Sequence, residues 1–201
     1  MRPKLVLALL TVVAYTPAWA IPRECVKGTL ASYIRLGANG CTLGGVTYAD
    51  FAYFAQVSGG ARAVKAEEIA VTPLPIVPGE SRLGFSAPWK AAKGQGLDST
   101  ISYRAVLPRR DTLPALLELN LGHVAIGGII GAVSVDESTN VGDLSVFGRC
   151  ADACEAKARD SRQFHPVGVV RITDHVKLTG GNDGASLDKF ESGMNLCLVC
   201  G

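Results

Sequence analysis

Two stretches of the sequence alternate apolar and polar residues with a period of two. From Ser99 to Leu107, apolar residues occupy every odd position after Ser99, and threonine, serine and arginine alternate with them. From Leu113 to Leu121, every odd position is leucine or alanine. This period places successive side chains on opposite faces of an extended chain, so each stretch predicts a β-strand with one buried face.

Shorter apolar runs, separated by glycine, proline and aspartate turns, predict further strands. They are Val46–Val57, Ile69–Leu74, Leu83–Phe85, Ile129–Val135, Leu144–Phe147, Val167–Thr173, Val176–Leu178 and Leu196–Val199. Many strands at this spacing, with few helical stretches, favour an antiparallel sandwich or barrel over alternating strand–helix units. We therefore predict an all-β fold, a jelly-roll-like antiparallel β-sandwich.

Two segments depart from the strand pattern. Residues 28–37 predict a short N-terminal helix, because Thr29 can cap its start, apolar residues recur at helical spacing, and Gly37 suits a left-handed end. Arg149–Arg162 is charged and rich in alanine, which predicts a helical hairpin insertion or a mobile loop. Both segments belong to one predicted domain, residues 21–201.

Residues 1–20 have the features of a secretory signal peptide. Arg2 and Lys4 precede an uncharged run, Leu5–Ala14, and residues 18–20 read Ala-Trp-Ala, a small-x-small cleavage pattern. The run is shorter than the roughly 20 apolar residues of a membrane-spanning helix. We expect cleavage, a secreted or periplasmic protein, and no stable membrane span afterwards; the alternative is an uncleaved anchor.

Removal of this segment changes the charge of the chain. The 201 residues carry a formal net charge of +2, and Arg2 and Lys4 account for it, so residues 21–201 are formally neutral. A basic patch interleaved with aromatic residues is absent from the sequence. We therefore expect no nucleic-acid partner.

Six cysteines follow the signal segment: Cys25, Cys41, Cys150, Cys154, Cys197 and Cys200. An even number behind a secretory signal favours disulfides. Cys25 and Cys41 flank the predicted helix, and we predict a bridge between them. The other four form two close pairs, for which two disulfides are the preferred interpretation. A tetrahedral zinc site or a redox-active Cys-x-x-Cys pair are the alternatives.

No catalytic or metal-binding pattern stands out. The three histidines, His123, His165 and His175, do not form a metal-binding or nucleophile-activating motif, and Gly-x-Ser-x-Gly does not occur. The oxygen-rich segments 180–184 and 136–143 have the composition of turns, with calcium binding as the alternative. We predict no catalytic residues, no metal ligands and no cofactor.

Trp89 is the single tryptophan outside residues 1–20. Its stretch is rich in glycine and lysine, which is typical of a loop, and an exposed tryptophan there could stack on a sugar ring. The other interpretation is a tryptophan that closes the sandwich. Trp89 is therefore the candidate ligand contact.

A resemblance rests on the order of short motifs along the chain. The motifs are Cys25, residues 28–37 (GTLASYIRLG), 40–44 (GCTLG), 46–53 (VTYADFAY), 58–61 (SGGA), 69–74 (IAVTPL), 83–85 (LGF) with Trp89, 98–103 (DSTISY) and 180–187 (GGNDGASL). In this order the chain resembles secreted bacterial proteins of the PEP-CTERM-associated type. The resemblance implies an exported all-β domain of exopolysaccharide- and biofilm-forming bacteria. The usual sorting tail has no counterpart before Cys200-Gly201, so we expect release rather than sorting through it.

These observations lead to a hypothesis about function. We predict an exported, non-enzymatic β-sandwich protein with a structural, matrix or adhesive role. Its expected partners are extracellular polysaccharide or cell-surface components. The alternatives are a carbohydrate-binding module and a secreted hydrolase whose site is assembled from residues distant in sequence.

Overall fold

The computed structural model describes residues 23–74, 79–108, 114–127, 130–151, 153–165 and 167–196. The predicted signal peptide, Cys197 and Cys200 lie outside these ranges. No helix within them is long and apolar enough to span a membrane.

The described chain folds almost entirely as β-strands. In chain order the elements are β1 (Arg23–Glu24), β2 (Gly28–Thr29), α1 (Leu30–Ile34), β3 (Cys41–Leu43), β4 (Val46–Ser58), β5 (Ala70–Pro73), β6 (Glu80–Ala91), β7 (Gly96–Val106), β8 (Ala115–Leu121), β9 (Val124–Ile126), β10 (Gly131–Thr139), β11 (Leu144–Cys150), β12 (Cys154–Lys157), β13 (Arg159–Phe164), β14 (Val169–Thr179) and β15 (Ala185–Asn195).

These strands form two sheets. Sheet A has the order β1-β3-β4-β7-β14-β10-β11-β12, and sheet B has the order β13-β8-β15-β6-β5-β2, with β9 also paired to β15. Neighbouring strands are antiparallel except β1 and β3. The predicted all-β antiparallel sandwich is thereby confirmed.

Alternation of side chains explains how the sheets pack. In β7, every second residue is buried from one end of the strand to the other, as the period of two predicts. Aromatic rings from both sheets meet in the core. The Tyr103 ring of sheet A lies 6.0 Å from the Phe85 ring of sheet B, and the Phe85 ring lies 5.0 Å from that of Phe190. Contacts of this kind join the two inner faces into one core.

The N-terminal segment is held against the end of the sandwich. Helix α1 is shorter than the predicted 28–37, because Gly28 and Thr29 pair with β5 and the helix begins only at Leu30. Thr29 and Ser32 form a capping box at its start. The backbone N–H of Leu30 donates to the carbonyl of Ile69 at 2.8 Å.

The predicted Cys25–Cys41 disulfide is present and closes this segment. A second disulfide joins Cys150 to Cys154, directly opposite each other on β11 and β12. The zinc alternative is therefore wrong for this pair, because a disulfide leaves no thiolate to bind a metal. Two disulfides indicate an oxidising, extracytoplasmic compartment.

Removing the Cys25–Cys41 bridge is expected to destabilise the fold. The two cysteines are separated by 16 positions in the sequence. In the chain-entropy account, a bridge closing a loop of this length contributes about 3 kcal/mol to the free energy of unfolding. We expect the double variant Cys25→Ser/Cys41→Ser to lose about that much free energy of unfolding, measured by chemical denaturation. Cys150→Ser/Cys154→Ser, which opens a much shorter loop, is the control. An equal loss in both variants would contradict the entropic explanation.

The prediction for Arg149–Arg162 is wrong. The segment is neither a helical hairpin nor a loop insertion: it contains β12, at the edge of sheet A, and β13, at the edge of sheet B. Every residue of β12 is exposed, and only Phe164 of β13 is buried. An edge strand that faces solvent on both sides has no apolar alternation, so its sequence resembles a loop.

Candidate functional site

A β-bulge in β4 determines which side chains reach the outer face of sheet A. Asp50 has a positive φ of 56°, and the register of β4 against β7 shifts between Ala49 and Ala52. One inserted residue exchanges the faces of all later side chains. Beyond the bulge, Phe51 is buried, whereas Phe54 and Gln56 face outward.

Phe54 begins a row of side chains across five strands. Direct cross-strand partners run from Phe54 on β4 to Thr100 on β7, His175 on β14, Asp136 on β10 and Ser145 on β11. Strands lie about 4.8 Å apart, so four intervals give a row roughly 19 Å long. The Phe54 side chain is 59% exposed, the one aromatic residue among the large exposed hydrophobic residues of the described ranges.

Hydrogen bonds fix the polar members of this row. Thr100 Oγ1 lies 3.2 Å from His175 Nδ1, and the Ser145 hydroxyl donates to Asp136 Oδ1 at 2.6 Å. The Lys177 ammonium lies 3.9 Å from Asp136 Oδ2. The row therefore offers donors and acceptors in fixed positions beside the exposed ring.

A shallow depression of ≈ 310 Å³ lies at one end of sheet A, and its lining begins at Gln56, two residues beyond Phe54 on the same strand face. Gln56, Asp98 and Lys177 line it, as direct cross-strand partners on β4, β7 and β14. Its walls supply an amide, a carboxylate and an ammonium group within one row. Such a set can donate to and accept from a ligand rich in hydroxyl groups.

Most charges on this face are paired on the protein itself. The Arg104 Nε lies 2.5 Å from an oxygen of Asp50, and the Arg149 guanidinium contacts Glu155 at 2.7 Å. The same guanidinium covers the ring of Phe147, 5.1 Å from its centroid. The face is polar but close to electrical neutrality, and Phe147 is less available to a ligand than Phe54.

The outer face of sheet B has a different character. Glu118, only 3% exposed, binds Arg82 at 2.7 Å and also pairs with Arg159. Arg82 reaches Glu118 by crossing over Gly193, where an added Cβ would lie 2.7 Å from the Arg82 side chain. Glu118, Arg82 and Arg159 satisfy one another, so this cluster has the features of a structural ion-pair network.

Trp89 is not the ligand contact that the sequence suggested. It lies within β6 rather than in a loop, and its side chain is fully buried, with its ring 5.9 Å from that of Phe190. A side chain with no exposed area cannot stack on a ligand. Glycine and lysine around Trp89 indicated a loop, but Lys90 faces outward from a strand whose other face is core.

The histidines are not brought together. His175 lies on the outer face of sheet A, whereas His123 and His165 are exposed outside the strands. Over the described ranges, no three His, Cys, Asp or Glu side chains are grouped as a metal site. Phe54 was missed because a regular period of two through β4 would place it in the core, and only the bulge turns it outward.

The fold and this face define the class of protein: a two-sheet antiparallel β-sandwich with an open polar sheet face and an exposed aromatic ring. A search of protein-family models finds no match, and neither does a search of curated proteins.

Two solved structures are similar to the chain at low TM-scores. One is TmCBM61 in complex with β-1,4-galactotriose, with 11% identity, a TM-score of 0.31, and coverage of 69% of this chain and 86% of that one. The other belongs to a study of promiscuous specificity in carbohydrate-binding modules of the β-sandwich superfamily, with 9% identity and a TM-score of 0.20. It covers 87% of this chain, which spans 61% of that structure. At these TM-scores the similarity carries no argument about function.

Proposed function

We propose that the chain is a non-enzymatic binding protein that holds an extracellular polysaccharide on the outer face of sheet A. The observation that carries the proposal is the exposed ring of Phe54 beside a row of fixed polar side chains. An exposed aromatic ring is costly to leave in water, and the apolar C–H face of a sugar ring can cover it.

The depression that begins at Gln56 supports a polyhydroxylated ligand. Gln56, Asp98 and Lys177 together provide both donors and acceptors for sugar hydroxyl groups. Because Arg104 and Asp50 pair with each other and Lys177 is near Asp136, the face has no surplus of positive charge. This balance favours a neutral polysaccharide over an acidic one.

The setting of this activity is also a proposal. Residues 1–20 and the resemblance to PEP-CTERM-associated proteins support export and a matrix or adhesive role, in which polysaccharide binding is the molecular function. A secreted hydrolase is the less favoured alternative. Thr100 lies within hydrogen-bond distance of His175, but the Asp136 carboxylate, which could orient that histidine, accepts hydrogen bonds from Ser134 and Ser145 instead.

We further propose that the sandwich has jelly-roll topology. Its support is a nested set of strand pairs: β6 with β15, β7 with β14, β8 with β13, and β10 with β11. These pairs are nested in the sequence, with β10 and β11 innermost and β6 and β15 outermost. A long β-hairpin folded over on itself produces this pattern. Successive pairs then alternate between sheets B and A, as in eight-stranded jelly rolls.

Affinity gel electrophoresis tests the binding function. The protein without residues 1–20 is run through gels containing soluble neutral polysaccharides (β-1,4-galactan, xyloglucan, galactomannan) or the acidic alginate. We expect retardation by at least one neutral polymer and none by alginate. Phe54→Ala is expected to weaken the retention about tenfold, which corresponds to 1.4 kcal/mol of binding free energy.

Phe147→Ala is the matched control. It removes the same side chain from the same sheet face, but from a position already covered by Arg149. We expect it to retain binding. Retention that is unchanged in Phe54→Ala, or lost equally in both variants, would overturn the assignment of Phe54 as the sugar platform.

A further inference from the structure

Two acidic side chains face each other inside the core. Glu137 on β10 and Asp174 on β14 are direct cross-strand partners, and both are fully buried between the sheets. Buried carboxyl groups are rare unless they are paired with cations or bound to metal. The buried polar residues of the described ranges include serines and acids but neither lysine nor arginine.

The pair has few hydrogen-bond partners. The Ser192 hydroxyl of β15 donates to Glu137 Oε2, and the Tyr103 hydroxyl of β7 lies 2.7 Å from that of Ser192. With both groups ionised, Glu137 Oε1 and both carboxylate oxygens of Asp174 have no hydrogen-bond partner in the part of the chain that the structure describes. A proton on either group lets Glu137 and Asp174 form a hydrogen bond with each other. Two ionised carboxylates in this arrangement would repel each other with little compensation.

The neighbouring groups do not supply a compensating charge. Tyr103 on β7 and Tyr48 on β4 are buried nearby, and burial raises the pKa of both phenols, which therefore remain neutral. The hydroxyl of Ser81, on β6, donates to the carbonyl of Leu43. Arg82, also on β6, is directed to Glu118 on the outer face of sheet B.

The acids are therefore protonated more readily than exposed carboxyl groups. Burial raises the pKa of Glu137 to about 7. Burial, followed by the negative charge of Glu137, raises the pKa of Asp174 well above its ordinary value. A folded-state pKa above the unfolded value means that the folded protein binds more protons. For Glu137, the stability gained from the bound proton is complete below about pH 4 and is lost as the pH rises through about 7.

The position of the pair connects it to the outer face. Asp136 precedes Glu137 and His175 follows Asp174, so adjacent residues of the same two strands form the centre of the outer row. We propose that Glu137 and Asp174 form a pH-sensitive latch that holds β10 to β14 when protonated and loosens them when it loses its protons. Control of polysaccharide binding by this latch rests on the proposed function; control of stability does not.

Thermal unfolding followed by circular dichroism tests the latch. Between about pH 5 and about pH 8.5, we expect the Tm of the wild-type protein to fall by roughly 5 °C or more. Glu137→Gln, which cannot ionise, is expected to remove most of this fall and to be the more stable protein at the alkaline end. Asp136→Asn, the adjacent carboxylate on the outer face, is the control and should keep the wild-type profile.

The outcomes separate the proposals. A wild-type Tm that is constant or rises over this pH range would overturn the latch, as would an undiminished fall in Glu137→Gln. If the variant does not fold, an infrared C=O band of a protonated carboxylic acid in the wild-type protein at about pH 6 supports the latch, and its absence contradicts it. The retention test is repeated across this pH range with β-1,4-galactan, xyloglucan and galactomannan. Weaker retention at alkaline pH by the neutral polymer that binds supports control of binding, and constant retention excludes it. No retention at any pH rejects the proposed function but leaves the Tm test intact.

Discussion

Trp89→Ala is expected to lower the free energy of unfolding by roughly 3–5 kcal/mol, the usual cost of truncating a buried large aromatic residue. The side chain is fully buried in β6, packs against Phe190 and lies opposite Leu187 on β15. Its loss leaves a cavity that these strands cannot close without breaking their pairing. Urea denaturation followed by circular dichroism measures the change.

The same substitution separates a structural role from a binding role. At a temperature where Trp89→Ala remains folded, its retention by polysaccharide should equal that of the wild type, because Trp89 has no exposed area. Trp89→Phe, which refills most of the volume, should recover much of the lost stability. A Trp89→Ala protein that is folded but no longer binds polysaccharide would contradict a purely structural role and would indicate that Trp89 contributes to binding.

Glu118→Ala is expected to produce the second large effect, a loss of roughly 3–5 kcal/mol, because removing one partner of a buried ion pair leaves the other uncompensated. Glu118 is 3% exposed and Arg82 is 15% exposed, so both lie largely out of water. Arg82 keeps Glu191 at 3.6 Å, which places the expected loss at the lower end of that range.

Glu155→Ala is the matched control for this prediction. It removes another glutamate that pairs with an arginine, but Arg149 and Glu155 are about 60% exposed, at 62% and 59%. Exposed pairs contribute about 0–1 kcal/mol. A paired replacement, Arg82→Met with Glu118→Leu, should recover most of the stability. Equal losses in Glu118→Ala and Glu155→Ala would show that burial of the network does not matter.

The sequence predicts a strand most completely where the inward residues are apolar and the outward residues are polar. The alternation in β7 is clear because one face meets the core and the other meets water. It fails for β12, which is exposed on both sides, and for β14, where Asp174 appeared to separate two strands but lies inside one. The sequence alone does not show that Asp174 is buried inside a strand. Its position becomes clear only from the pairing of β14 with β10, which places it opposite Glu137.

The candidate site was less accessible to prediction than the fold. Cys25 and Cys41 could be paired because they flank a short segment, and the structure contains that bridge. Phe54 could not be assigned, because its outward direction depends on the bulge at Asp50 and on the register of β4 against β7. Trp89 was the candidate because of its residue type and its glycine- and lysine-rich surroundings, but it lies buried in β6.

Nuclear magnetic resonance titration tests the central claim most directly. The amide spectrum of the isotope-labelled protein without residues 1–20 is followed while an oligosaccharide of the best-retaining neutral polymer is added. We predict shifts concentrated on the outer residues of β4, β7, β14 and β10, centred on Phe54 and His175, and strongly reduced in Phe54→Ala. Shifts centred on sheet B or on the N-terminal segment, with no change around Phe54, would contradict the account.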